Sequence, residues 1–311
     1  MATKNEIFNN KKKRRRRRKK KNNHLKIGIA CLGIVALVFV GTKILNKDYN
    51  IKAADGNEQY ELAVNKPNPK PLDIVPGFNV TYEGLQYAMD AHDVKQMLNG
   101  KHESDEKYAF LTFDDGPSPV TEKILDVLKE KDVKGTFFIL GSRLDEVPET
   151  QKILRRTIEE GNAIANHTYS HNYGKLYPGN YTNVDTFMSE IEKANDTMRN
   201  ALGDNFDTRV VRMPGGYNSR VYYKDPNLTE LNKRFEQEDI VELDWNALNG
   251  DAEGKPYTPD EMVDYLKRTV AGQKHVIILM HDTYGKDKTA QTLPEIIDYL
   301  KTEGYQFKTI K

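Results

Sequence analysis

The chain has 311 residues, 30% of them charged and 38% apolar, which suits one domain of ordinary size plus extra segments and excludes a low-complexity chain. Formal charge is only +1, yet residues 1–50 hold 15 Lys or Arg against Glu6 and Asp48, whereas residues 51–311 hold 32 basic and 44 acidic residues. The acidic remainder excludes nucleic acid as the partner of the larger part, since phosphate binding needs a basic surface, and the lone Cys31 excludes an intrachain disulfide or a thiolate metal cluster.

Residues 11–21 read KKKRRRRRKKK, a run that alone fits a nuclear address, an RNA-binding arm or a solvated tail. The next segment decides among these. Leu25 to Leu45, with Lys26 and Lys43 able to snorkel near its ends, is apolar on every side and has the ~20 residues a bilayer requires. A buried core helix would instead show an amphipathic stripe. Cations on the N-terminal flank orient the segment by the positive-inside rule, so residues 1–24 are expected in the cytoplasm, 25–45 across the membrane as an uncleaved signal anchor, and the rest outside the cytoplasm. Residues 46–104, with KPNPKP at 66–71, read as an extended spacer, and 82–98 carries a weak helical period.

From residue 105 to the C-terminus, β-rich runs alternate with amphipathic segments. The predicted strands are 108–113, 136–140, 163–166, 209–212, 240–244, 276–280 and 306–310; the predicted helices include 120–131, 149–160, 185–202, 259–271 and 292–301. This pattern means a parallel α/β fold of about seven strands, either an open doubly wound sheet or a barrel. The clusters DDGPS, NHTYSH, RMPGG, DWN and HD each fall at the C-terminal end of a different predicted strand, which favours a (β/α) barrel with one shared mouth.

Asp114 and Asp115 are adjacent carboxylates, costly together unless a cation absorbs their charge. His167 and His171 stand four apart, a metal-ligand spacing, and two imidazoles with one carboxylate leave positions open for water and substrate. Zinc suits this set best, cobalt or another divalent ion also fits, and Fe(II) oxygenases use the same donors, so the ligands alone leave the reaction class open. Arg212 is placed to pair with a carboxylate, Gly215 to turn an N–H toward an oxyanion, Trp245 to wall a sugar cleft or fill core, and His281 to act as an acid or sit bonded at a strand end.

Taken in order, TFDDGPS, HTYSH, RMPGG, LDWN and LMHD resemble the five motifs of the polysaccharide deacetylases, carbohydrate esterase family 4, over residues 105–311. The resemblance implies a distorted (β/α) barrel that hydrolyses N- or O-acetyl groups with one divalent metal. It assigns Asp114 as base, Arg212 as its holder, Asp115, His167 and His171 as metal ligands, Gly215 as an oxyanion donor and His281 as acid. Two departures stand out. Gly215 takes the place of a Tyr common in relatives, removing an aromatic wall, and Val241 takes the place of the Asp that tunes the acid histidine, leaving Asp244 or another group to substitute. The expected substrate is N-acetylglucosamine in peptidoglycan; N-acetylmuramic acid, chitin-type chains, exopolysaccharide, acetyl-xylan, or glycan binding without turnover are the alternatives.

Overall fold

The computed structural model describes residues 68–102 and 104–311, so the expected basic tail and membrane-spanning segment lie outside the described residues. Among the described residues no helix is long and apolar enough to cross a membrane. Ten strands occur: β1 Ala88–Met89, β2 Tyr108–Gly116, β3 Thr136–Ile139, β4 Ala163–Asn166, β5 Val210–Val211, β6 Val241–Glu242, β7 Ala247–Leu248, β8 His275–His281, β9 Gln306–Phe307 and β10 Thr309–Ile310. The main sheet runs β6-β5-β4-β3-β2-β8-β7, all parallel, with β9 also pairing β2. Strands β6 and β7 are its two edges and do not pair with each other, so seven parallel strands curl into a half-barrel rather than a closed one. The run expected as one strand over 306–310 divides at Lys308: β9 joins the main sheet and β10 pairs with β1 in a separate two-stranded sheet.

The expected helices form at Pro119–Glu130, Glu149–Glu159, Val184–Leu202, Pro259–Val270 and Asp287–Thr302. Two of them start as their sequences dictate. Ser118 and Thr258 each cap a helix whose first residue is proline, and each closes a capping box, with Thr121 and Glu261 respectively. Pro294 lies inside the last helix, which begins five residues before the predicted Thr292.

Strand β2 is buried on both faces, as a parallel strand covered by helices must be. Ala109, Leu111 and Phe113 pack outward against the helices, while Phe110 points into the half-barrel with Phe138, Ala165, Val210, Val241, Leu243 and Ile277. Helix α1, Ala91–Leu98, adds Ala91, Val94 and Met97 to that inner core and contacts both β6 and β8. The weak helical period expected over 82–98 settles into 91–98, capped by Asp90. Asn79 ties this N-terminal segment down, its amide donating to the Ile164 and Ile310 carbonyls at 2.9 Å each.

Candidate active site and metal centre

The interior of the half-barrel changes from apolar to polar along β2. Above Phe110 come Thr112 and then Asp114, all on one face by the two-residue period of a strand. Arg212, fully buried, spans the transition. Its guanidinium lies 4.1 Å above the Phe138 ring, donates at 2.8 Å to both Thr112 Oγ1 and Asp114 Oδ1, and reaches the Leu243 carbonyl at 2.9 Å. Its Nη2 donates to the Asp244 carbonyl at 3.3 Å, so every guanidinium nitrogen is engaged and the buried charge is matched by a carboxylate and by carbonyl dipoles.

The next residue turns away. Asp115 has φ +73°, and Thr168 and His171 are also left-handed, at +67° and +51°. Such backbone costs about 1–3 kcal/mol per residue and persists where the surroundings enforce it, commonly at functional sites. It brings the ligand atoms of Asp115, His167 and His171 to within 4.8 Å of one another. His167 Nε2 and His171 Nε2 lie 3.5 and 3.6 Å from Asp115 Oδ1, a buried oxygen that accepts no hydrogen bond among the described residues. His167 Nδ1 donates to the Arg212 carbonyl at 2.8 Å, which leaves Nε2 bare and aimed at the same point. Burial, followed by the proximity of His167, holds His171 below the ordinary histidine range. Burial works to raise Asp115, but neighbouring positive charge, that of His167 first, outweighs it and leaves the carboxyl below its usual value. An orphaned carboxylate oxygen facing two bare imidazole nitrogens is the donor set a divalent metal ion takes up, so the residues fit such a group.

His281, at the end of β8, is in register with Asp114. Its partner is Asp251, in the NGDAEG loop after β7. Asp251 Oδ1 lies 2.8 Å from His281 Nδ1, while Oδ2 accepts from the His281 N–H at 2.7 Å and from the Thr289 hydroxyl at 2.8 Å. Burial works to lower His281, but the Asp251 hydrogen bond and charge outweigh it and raise the imidazole to about 9. Asp251 is the tuning acid that the motif position at Val241 lacks. No strand was expected at β7, so the loop that follows it carried no signal of a strand-end site.

Asp244 does not serve that purpose, having no hydrogen bond to His281 among the described residues. Its two carboxylate oxygens accept from the Tyr217 and Asn218 N–H groups at 2.8 and 2.7 Å, fixing the helix Tyr217–Tyr222 that follows the double glycine. Trp245 sits against Gly216, where a Cβ would come within 2.8 Å of the indole, and 5.7 Å from the Arg212 guanidinium, so it is half-buried wall and not core. Gly215 has φ +76°, a conformation that suits glycine, and no protein group accepts from its N–H among the described residues. Asp282, the last residue of the HD cluster, braces the first one: its buried carboxylate, which burial raises to about 7, accepts from Thr121, and its carbonyl accepts from Ser118. Gly116 is required there, since a Cβ would overlap that carboxylate.

The five strand-end clusters thus converge on one mouth, with Asp114, Asp115, His167, His171, Arg212, Gly215, Trp245 and His281 around it. Comparison with known proteins identifies the family. The family model described as polysaccharide deacetylase matches residues 101–232. The chain is 30% identical over 216 residues to a peptidoglycan-N-acetylglucosamine deacetylase of Bacillus cereus, covering 68% of this chain and 71% of that one. It is 32% identical over 268 residues to the peptidoglycan-N-acetylmuramic acid deacetylase PdaA of Bacillus subtilis, covering 83% and 89%. The structure of a Streptococcus mutans CE4 esterase superposes with a TM-score of 0.71 at 36% identity, covering 78% of this chain and all of that one. The chain therefore belongs to the polysaccharide deacetylases, carbohydrate esterase family 4, and is a hydrolase acting on carbon–nitrogen bonds other than peptide bonds.

Proposed function

We propose that the protein is a membrane-anchored deacetylase of cell-wall peptidoglycan that removes the acetyl group from N-acetylglucosamine units. The observation that carries this reading is the Asp115, His167 and His171 donor set lying beside the Arg212-held Asp114 and across from the Asp251-held His281. Those three residues would hold one divalent ion, zinc by preference with cobalt or another dication as substitutes, and the ion would supply Lewis acidity toward the acetyl oxygen and toward water. Asp114 has one oxygen committed to Arg212 and the other, Oδ2, free to take a proton as water adds to the acetamide carbon. The Gly215 N–H donates to the oxyanion that forms. As the C–N bond breaks, His281 gives its proton to nitrogen, because an amine leaves poorly as an anion. Acetate and a free amine are the products.

The excess of 44 acidic over 32 basic residues in 51–311 disfavours a nucleic-acid partner, and the apolar stretch 25–45 behind a basic flank supports placement outside the cell with the N-terminus inside. A second reading, deacetylation of N-acetylmuramic acid, is supported by the longer alignment with PdaA. One experiment separates them. The full-length chain is incubated with peptidoglycan and with chitooligosaccharides, with and without added zinc, and the digested sugars are weighed by mass spectrometry. Zinc-dependent loss of one acetyl mass from the glucosamine unit is expected; loss from the muramic unit supports the second reading, and no loss from any sugar refutes both.

A further inference from the structure

Gly215 leaves a gap in the RMPGG turn, and the structure shows what fills it. A Cβ placed on Gly215 would overlap the hydroxyl of Tyr173 and lie 3.3 and 3.4 Å from its Cζ and Cε1. Tyr173 comes from a different motif, two residues beyond His171, on the short helix Tyr173–Leu176. Its side is fixed by neighbours rather than by the substrate. The ring meets His171 at 5.4 Å on one flank and Tyr177 at 5.5 Å on the other, both near edge-on. Tyr177 is itself buried, donates its hydroxyl to the Pro214 carbonyl at 3.0 Å, and continues through Phe187 to Phe235 in the core. Tyr173 nonetheless stays 46% exposed, and no protein group bonds its hydroxyl among the described residues. Across the double glycine stands Trp245, against Gly216.

Two aromatic rings, Tyr173 exposed and Trp245 partly buried, therefore flank the turn that carries the free Gly215 N–H. Side chains of this kind offer a sugar both an apolar face and a polar tip at low entropic cost. We propose that Tyr173 is a specificity-determining residue of this deacetylase: its ring walls the acetylated sugar on the side of Gly215, and its hydroxyl hydrogen-bonds a sugar oxygen. Glycine at 215 is what makes room for the Tyr173 ring. The inference rests on the deacetylase reading.

The test uses the full-length, zinc-loaded chain with chitooligosaccharides, comparing wild type, Tyr173→Phe and Tyr173→Ala. Loss of one hydroxyl contact raises KM about 3–10-fold in Tyr173→Phe, and loss of ring and hydroxyl raises it about 10–50-fold in Tyr173→Ala, with kcat within about 3-fold in both. Affinity for the same sugars, measured by calorimetry in an Asp114→Asn background, falls by the same factors. Gly215→Ala adds an independent arm: it is harmful in wild type but less so beside Tyr173→Phe, where the overlapping oxygen is gone. Bound zinc stays at one per chain throughout. KM and affinity unchanged within 2-fold while wild type releases acetate would overturn the proposal, as would loss of zinc from Tyr173→Phe, which would trace the effect to His171. Absence of acetate release by wild type from both chitooligosaccharides and peptidoglycan would instead overturn the deacetylase reading itself, and this inference with it.

Discussion

Replacing Asp251 with Asn should shift the proton affinity of His281 without altering the shape of its pocket. Asp251 is all but buried, and its two oxygens hold the His281 ring at 2.8 Å, the His281 backbone N–H and the Thr289 hydroxyl. Burial alone pushes a histidine down, so the rise of His281 from 6.5 to about 9 is chiefly the work of this carboxylate, with Asp114 and Asp115 adding smaller attractions. That difference of about 2.5 units is worth roughly 3 kcal/mol at about 1.4 kcal/mol per unit. Removing the charge should return His281 to about 6.5 or below, because the desolvation remains. At pH 8 the protonated share of a general acid then drops from about nine-tenths to about one-thirtieth, a loss near 30-fold in acetate release. The alkaline limb of the kcat/KM profile should move down by about 2.5 pH units while the acid limb stays. A bound dication repels the imidazolium in both proteins and lowers both limbs, so the difference between them carries the result. Histidine NMR of the metal-free chain provides the direct check. An alkaline limb and a His281 titration that do not move would refute the assignment of Asp251.

Three further outcomes are expected. Asp115→Ala should weaken zinc binding by more than about 100-fold, measured by competition with a chelator, and chelator treatment of wild type should abolish acetate release until zinc is restored. Arg212→Met should lower stability by about 3–5 kcal/mol in urea unfolding, since it strands Asp114 in a dry interior, and a loss under 1 kcal/mol would show that the charge is solvated. Glu242, raised to about 7 by burial and then by Asp244, with Lys95 at 2.6 Å opposing, binds a proton more tightly folded than unfolded. Stability is therefore lost as pH rises from 4.5 to about 7, by up to about 3 kcal/mol, and Glu242→Gln should flatten that fall between pH 5 and 8; an unchanged slope would count against it.

The legible parts of this fold are those where one strong local signal sufficed. β2, β3, β4 and β8 are nearly continuous apolar runs, and the capped helices carry Ser-Pro and Thr-Pro starts, so their positions emerge from pattern alone. The site residues on those strand ends were legible for the same reason. Strand β7 is two residues long and follows Trp245 and Asn246 without any alternation, and β1 is equally short. Pairing partners create such strands, and a partner 31 residues or more away is invisible to local period. Asp251 inherits that obscurity, because its role depends on a loop whose anchor is tertiary. The choice between Asp244 and another group was closed to sequence for a related reason: Asp244 stands at a strand end, but its carboxylate accepts from two helical N–H groups that only the turn of Gly215 and Gly216 brings near.

Helix α1 supplies what the curled sheet cannot. Lys95 reaches the Glu242 carbonyl at 2.5 Å and carboxylate at 2.6 Å, so the helix clasps one exposed margin of the sheet while its apolar face seals the hollow beneath Arg212. A fragment cut to begin at residue 105, where the motifs start, would uncover Phe110, Val241 and Ile277 along with unpaired strand backbone, an invitation to sticky self-association. Trimming just before residue 68 spares that seal, which makes it the sensible boundary for expression and for any fusion partner.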